Sequence, residues 1–424
     1  MKIVIINKSD STGGAAIVSR RLMEAFRREG EDARMLVCEK LTDSPYVELA
    51  ATPSVIKRKF LIERLKIFIS NGFNRKTLFK IDTGEVGLPL WKHPLVKEAD
   101  AILLNWVNQG MLSLKGVERI LKLGKPVIWT MHDMWNMTGI CHHAGSCTHY
   151  LKNCGNCPYL GKKSNPKDLS NKIWFKKEKI YCHEELIKKT VFVAVSNWLK
   201  EKALESSLLK RQKVVVIPNA FPISSSSSLN NLFPSLKKIR ILFGAARLDD
   251  PIKGLDTLKE TSKILKENYP DVADKLKIVF FGDIKNPKNL DGFEISIENL
   301  GILHGEDALK KAYFNSQILV SASSYETLSG TLVEAQAYGC IPVSFDRGGQ
   351  SDIIDHLLTG YLAQFNHDIE KRASNLAEGI VWATGIINDE EKYQCILRKM
   401  RENVCDKFSY ASVVGKYIQL INEL

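Results

Sequence analysis

No apolar run in this sequence approaches the roughly 20 residues that span a bilayer, which argues against a helical membrane protein. The opening MKIVIINKSD has too short an apolar core, and no small-residue cleavage site, for a secretory signal. A cytoplasmic location is therefore expected, with the inner face of the membrane as a further place of action. No RNA-recognition signature occurs either. Hydrophobic residues at 44% and charged residues at 25% are globular values, so collagen-like and broadly disordered chains are excluded.

What is present is 424 residues, too many for one ordinary core; two domains, or three, are expected. The net charge of +12 is unevenly placed: residues 1–218 carry +16 and the remainder −4. The first half therefore calls for an anionic partner, whether nucleic acid, an anionic membrane surface or a phosphorylated acceptor. Residues 54–80, SVIKRKFLIERLKIFISNGFNRKTLFK, interleave Lys57, Arg58, Lys59, Arg64, Lys66, Arg75, Lys76 and Lys80 with aliphatic and phenylalanine side chains. Such a helix can lie in an anionic headgroup region. An ordinary helix, basic face solvated and apolar face against the core, is the alternative.

KIVIIN, a Gly13-Gly14 turn and a helical pattern over Ala15–Arg28 form the first unit of a parallel α/β sheet. Further strands are predicted at ARMLVC, AILLNW, PVIWTM, VFVAVS and KVVVIP, near-continuous apolar runs suited to burial on both faces. PISSSSSLNNLFPS then breaks the pattern. A second alternation follows, with strands at IRILFGA, LKIVFFGD, QILVSAS and CIPVSFD. The expected organisation is an N-terminal domain over 1–218 with a cysteine-rich insertion at 141–157, a linker at 219–236 and a C-terminal domain over 237–404. A terminal helix over 405–424, apolar at Phe408, Tyr410, Val413, Val414, Tyr417 and Ile418, completes it. The alternative for that helix is the core of the second domain. The fold class is α/β: two Rossmann-like doubly wound domains facing a central cleft, where ligands of such domains bind.

In the second domain the chemistry gathers at strand ends. Arg247 and Lys253 follow the first strand, Glu326 and the helix start Ser329-Gly330-Thr331 follow QILVSAS, and Arg347-Gly348-Gly349 follow CIPVSFD. Parallel strands put these loops on one rim. Cations beside a helix N-terminus form an anion site, and a diphosphate is its natural occupant. The absence of any Asp-x-Asp triplet removes the usual way of holding a divalent metal there. Arginine, lysine and the helix dipole would do that work instead, so no cofactor is expected for catalysis. Glu334 would accept hydrogen bonds from ribose hydroxyls and Glu326 from a sugar beyond the phosphates. Singly, each of these residues reads equally well as a surface charge or a turn.

GAARLDDPIKG, YETLSGTLVEAQAYGCIPVSFDRGGQSDII and VVVIPNAF resemble the retaining glycosyltransferases of family 4, which have the GT-B architecture. The likeness covers most of residues 1–365, and its most specific element is Glu-x7-Glu, here Glu326 and Glu334. It implies that Arg247 and Lys253 bind a donor diphosphate, Glu334 the nucleotide ribose and Glu326 donor-sugar hydroxyls. Gly13-Gly14 would approach acceptor and phosphates, and His132 in WTMHDMW would face the donor sugar near the reacting carbon. Two features depart from the family: Leu328-Ser329 replaces a common aromatic-glycine pair, and Asp249 and Asp250 add acids between Arg247 and Lys253. The implied activity is transfer of a sugar from a nucleotide-diphosphate sugar to a glycan or lipid-linked oligosaccharide, as in surface-polysaccharide synthesis, without nucleic acid as partner. Alternatives are a zinc-knuckle nucleic-acid-binding protein, a sugar phosphorylase and a nucleotide-sugar epimerase.

Four of nine cysteines, Cys141, Cys147, Cys154 and Cys157, fall in CHHAGSCTHYLKNCGNC. They can offer four thiolates to a tetrahedral ion, with His142, His143 and His149 as substitutes. Structural zinc, free or redox-active thiols, and disulfides are the three readings; a reducing cytoplasm favours metal over disulfides.

Overall fold

The structure, a computed structural model, describes residues 1–223 and 238–424. The serine-rich linker expected over 219–236 falls, from residue 224 on, outside the described residues. Two compact units form, one of Met1–Pro222 with Tyr410–Leu424 and one of Ile223–Ser409.

Seven strands build the sheet of the first unit: β1 (Lys2–Ile6), β2 (Asp32–Val37), β3 (Val47–Leu49), β4 (Ala101–Leu104), β5 (Val127–Met131), β6 (Thr190–Ala194) and β7 (Val214–Val216). They lie in the order β3-β2-β1-β4-β5-β6-β7, all parallel. Every residue of β4, β5 and β6 is buried, the consequence of apolar runs with helices on both faces. The chain leaves β1 in one direction and returns to β4 on the other side. That reversal makes the carboxyl ends of β1 and β4 the switch point where such sheets take ligands. Helix Gly14–Arg28 starts there; it buries Leu22, Met23, Ala25 and Phe26 and ends on Arg27 and Arg28, cations that suit the negative end of its dipole.

Helix Tyr410–Asn422 completes this core. Val413, Val414, Tyr417, Leu420 and Ile421 are buried with Phe26 and Ile3, and Tyr417 OH meets Thr130 Oγ1 of β5 at 2.9 Å. The chain breaks at Ser409, whose extended backbone ends helix Glu390–Phe408; residue 405 lies inside that helix.

Helix Pro53–Ser70 does not turn to the core the apolar face that the ordinary-helix alternative expected. Its inner side carries Glu63, Arg64 and Ile67, while Leu61, Ile62, Leu65 and Ile69 are exposed. The inward charges are held by partners: Arg64 binds Glu63, Asp82 and the Leu78 carbonyl. Burial, with Asp82 nearby, lifts the Glu63 carboxyl to about 8 against the pull of Arg64.

The second unit has six parallel strands: β8 (Ile239–Arg247), β9 (Leu276–Asp283), β10 (Ile297–Asn299), β11 (Ile318–Ser321), β12 (Ile341–Phe345) and β13 (Tyr361–Ala363), ordered β10-β9-β8-β11-β12-β13. Its switch point lies between β8 and β11, so the loops after β8, β11 and β12 share one rim.

Two outcomes are expected. Tyr417→Ala should cost about 3–5 kcal/mol by loss of volume and Tyr417→Phe about 1 kcal/mol by loss of one hydrogen bond, read from denaturation midpoints; an Ala variant as stable as the parent would place the helix outside the core. Between about pH 4.5 and 8 the folded chain holds on Glu63 a proton that the unfolded chain releases, so this group's contribution falls as pH rises. Glu63→Gln should flatten that part of the melting temperature profile, and an unchanged slope would assign it to other groups.

Candidate functional site

In the second unit the β8 loop brings Arg247 and Lys253 to the rim. Asp250 caps the short turn Pro251–Lys253 by accepting from Ile252 N at 3.2 Å. Gly254 closes it with φ 75°, and a Cβ there would stand 2.2 Å from the Ala322 carbonyl oxygen, so the left-handed turn and the close approach both demand glycine. The same contact sets the loops after β8 and β11 edge to edge, tied by Ser324 N donating to Ile252 O at 2.9 Å. Across this seam Lys253 Nζ donates to Glu326 Oε1 at 2.6 Å. The β12 loop joins through Gly349 N, which donates to Glu326 O at 3.0 Å, while a Cβ on Gly348, at φ 80°, would stand 2.2 Å from that oxygen. Three loops thus converge on Glu326.

Arg247 is half exposed and turned to Asp249, whose Oδ1 accepts from its Nε and Nη2 at 3.2 Å. The two extra acids therefore have separate tasks: Asp249 pairs the arginine and Asp250 shapes the lysine turn. Ser329 occupies the N-cap position of helix Gly330–Ala337, yet its hydroxyl makes no cap bond and meets Thr331 Oγ1 at 3.0 Å. One turn on, Glu334 Oε2 accepts from Tyr313 OH at 3.0 Å. Arg347 stacks on the Phe365 ring, 4.0 Å from its centroid. A cavity of about 520 Å³ is lined by Asp249, Asp250, Gly254, Ser324, Arg347 and Arg372 among others, but not by Lys253, Glu326 or Glu334.

In the first unit, Gly13 has φ 87° and Gly14 opens the helix; a Cβ on either would meet nothing within 4 Å. Gly14 has no crowding of its own, so any demand for a missing side chain there comes from outside the chain. His132 follows β5, its Nε2 2.8 Å from Asn105 Oδ1 at the end of β4. Burial holds the imidazole neutral, down to about 4, against the opposing charge of Asp133. Asp133 itself is a junction: Oδ2 faces Trp106 Nε1 at 2.8 Å and His142 Nδ1 at 2.7 Å, and Oδ1 accepts from Trp135 N at 2.7 Å. Burial alone would raise this carboxyl; His142 and the Trp135 N–H outweigh it and leave it at about 2. Asn105, Trp106 and Asp133 were not singled out as site residues from sequence, although the rule that ligands sit beyond strand ends would have found Asn105. Its buried Nδ2 has no hydrogen-bond partner among the described residues.

Cys141, Cys147, Cys154 and Cys157 line one small cavity, with His149 among its other walls. All four are free thiols. Among the described residues no group of three or more His, Cys, Asp or Glu side chains is arranged, as it stands, to hold a metal ion.

Residues 232–381 match the family described as glycosyl transferases group 1. The chain is 26% identical over 208 residues to a poly(ribitol-phosphate) alpha-N-acetylglucosaminyltransferase of Staphylococcus aureus (strain COL), a stretch covering 49% of this chain and 40% of that enzyme. It is 23% identical over 357 residues, 81% of this chain and 82% of the other, to WcaC of Escherichia coli (strain K12), provisionally named a colanic acid biosynthesis glycosyl transferase. Among solved structures, a glycosyltransferase from Rickettsia africae ESF-5 superposes with a TM-score of 0.61 at 16% identity, over 99% of this chain and 98% of that one. Anabaena Alr3699/HepE in complex with UDP superposes with a TM-score of 0.59 at 16% identity, over 100% of each chain. The match to glycosyl transferases group 1 thus falls on the second of two Rossmann-like units, and the chain shares the fold of these solved glycosyltransferase structures.

Proposed function

We propose that this protein is a retaining glycosyltransferase that moves a sugar from a nucleoside-diphosphate sugar to a hydroxyl of a glycan or lipid-linked oligosaccharide. The observation that carries the reading is the Lys253–Glu326 pair at 2.6 Å, set where the loops after β8, β11 and β12 meet beside the Gly330–Ala337 helix start. Lys253 and Arg247 would take the diphosphate, with Ser329, Gly330 and Thr331 offering the helix terminus. Glu334 would take the ribose and Glu326 the hydroxyls of the sugar. Names among the matched relatives, a poly(ribitol-phosphate) N-acetylglucosaminyltransferase and a colanic acid enzyme, favour glycosyl transfer to surface polymers over the nucleic-acid, phosphorylase and epimerase alternatives.

Transfer with retention fits a front-face substitution. The bond between the anomeric carbon and the diphosphate oxygen breaks while the acceptor oxygen forms its bond on the same face, and the acceptor proton passes to the departing diphosphate. The products are the new glycoside and the nucleoside diphosphate. Side-chain cations and peptide dipoles would stabilise the leaving charge without a bound metal. His132, neutral at pH 7, would meet the sugar as a hydrogen-bonding group and not as a cation.

Lys253→Ala should lower kcat about 100-fold, the usual loss for one stabilising donor, and weaken binding of UDP-type ligands measured by calorimetry. Unchanged turnover and binding would remove Lys253 from the site. Chelator should leave transfer intact; loss restored only by magnesium or manganese would overturn the metal-free reading.

The exposed side of helix Pro53–Ser70 supports a membrane-borne acceptor. Leu61 (53% exposed), Leu65 (58%) and Phe73 (63%) stand among the exposed cations Lys57, Arg58, Lys66, Arg75 and Lys76. Apolar side chains of that size would enter a headgroup layer while each cation adds about 1 kcal/mol at an anionic surface. No helix among the described residues is long and apolar enough to cross a membrane. The protein should sediment with phosphatidylglycerol vesicles and not with phosphatidylcholine alone, and the triple variant Leu61→Ser, Leu65→Ser, Phe73→Ser should lose most of that binding. Equal binding by parent and variant would exclude this surface.

A further inference from the structure

We propose that Cys141, Cys147, Cys154 and Cys157 form a binding site for one thiophilic divalent cation, zinc in the cell, which locks the loop that carries the Asp133–His142 pair. Three independent features point to an ion. The first is convergence: four thiols spread over seventeen residues line a single cavity of about 20 Å³, room for one ion and little more.

The second is backbone geometry. Cys154, Gly155 and Asn156 have φ of 47°, 119° and 48°, three successive positive values in a region that asparagine tolerates but cysteine rarely enters. The knuckle they form puts both ends of Cys-Gly-Asn-Cys against the same cavity. It is braced from outside: Asp168 accepts from Cys157 N at 2.8 Å, and Ser170 Oγ accepts from Gly155 N at 3.0 Å. A Cβ on Gly155 would stand 2.6 Å from the Pro166 carbonyl oxygen, so the knuckle cannot relax into that neighbour. Gly139 N donates to Cys154 Sγ at 3.2 Å, the kind of outer contact that orients a metal-bound thiolate.

The third is charge. Lys177 is completely buried, with Nζ donating to the carbonyls of Trp135 (2.5 Å) and Thr138 (3.0 Å) and lying 3.5 Å from the Trp135 ring centroid. It forms no ion pair among the described residues, and a buried cation without an anion is costly. Burial pulls its ammonium down to about 7, and Cys154 and Cys141 are the first of the groups that, as thiolates, would oppose that fall. A divalent ion on four thiolates carries a net charge of −2, and Lys177 is the counter-charge such a centre would need.

As they stand the thiols do not close on a common point, so binding requires their side chains to turn into the cavity. The consequence would reach the candidate site along the chain. Cys141 O accepts from Thr138 Oγ1 at 2.6 Å, and His142, the next residue, holds Asp133, the neighbour of His132.

The test is metal analysis of the full chain purified without chelator, followed by cobalt exchange. About one equivalent of zinc is expected, with the near-ultraviolet thiolate-to-cobalt band and the visible bands of a tetrahedral site after exchange. Cys154→Ser with Cys157→Ser should lower zinc affinity at least about 100-fold by removing half of the ligands, whereas Cys182→Ser, outside the cluster, should leave it unchanged. Should the paired variant fail to fold, the cobalt spectrum of the parent still decides. Less than half an equivalent of zinc with all four thiols open to titration would overturn the proposal, as would a disulfide among them found by mass spectrometry. UDP binding by the second unit is unaffected by either result, so failure here and failure of the glycosyl-transfer reading are separable.

Discussion

The contact between Lys253 and Glu326 joins two loops that are distant in sequence, a third reaching Glu326 through Gly349 N, and the candidate donor site rests on it. Both side chains are partly exposed, so the pair contributes little to stability, about 0–1 kcal/mol. Its importance is positional. The cation and the carboxylate satisfy one another at 2.6 Å. A diphosphate would draw the lysine away, and the freed carboxylate would then face the hydroxyls of the attached sugar. Arg247 is parked in the same manner on Asp249. Pairing each cation with a neighbouring carboxylate avoids the cost of concentrating positive charge at a helix terminus.

That arrangement depends on glycine at two places. Gly254 and Gly348 each let a loop pass within contact of a carbonyl on its neighbour, Ala322 in one case and Glu326 in the other. The backbone of Glu326 is therefore clamped from the β12 side while its side chain meets the β8 loop. A side chain at either glycine would part the loops and so alter the site without touching a functional group. Ser329 has its hydroxyl engaged with Thr331, leaving the helix terminus unblocked by its own cap.

Much of the fold was legible because its central strands are long apolar runs; the strand quotations from KIVIIN to CIPVSFD all coincide with observed strands. The strands that went unseen, β3, β10 and β13, are three-residue edge strands whose pairing comes from the neighbour and not from their own composition. For helix Pro53–Ser70 the alternative of an ordinary helix packed by its apolar face does not hold. Alternation of basic and apolar residues suggested an apolar inner face, but Glu63 and Arg64 point inward because Asp82 and the Leu78 carbonyl, remote in sequence, supply their partners. Lys177 was invisible for the same reason: nothing in NKIWFKKEKI distinguishes it from its exposed lysine neighbours.

The polar groups buried at the ends of β4 and β5 point to function more strongly than any single motif. A carboxylate taken out of water is tolerated only with full compensation, and Asp133 has it from an indole N–H, a backbone N–H and an imidazole. Apolar residues of similar size would have packed there at lower cost. Beside this carboxylate, Asn105 Oδ1 meets the His132 ring at Nε2 and burial keeps that ring neutral against the charge of Asp133, while Asn105 Nδ2 has no partner among the described residues. On the proposed sugar transfer, Asn105 and His132 would together offer hydrogen-bonding groups to a polyhydroxylated ligand.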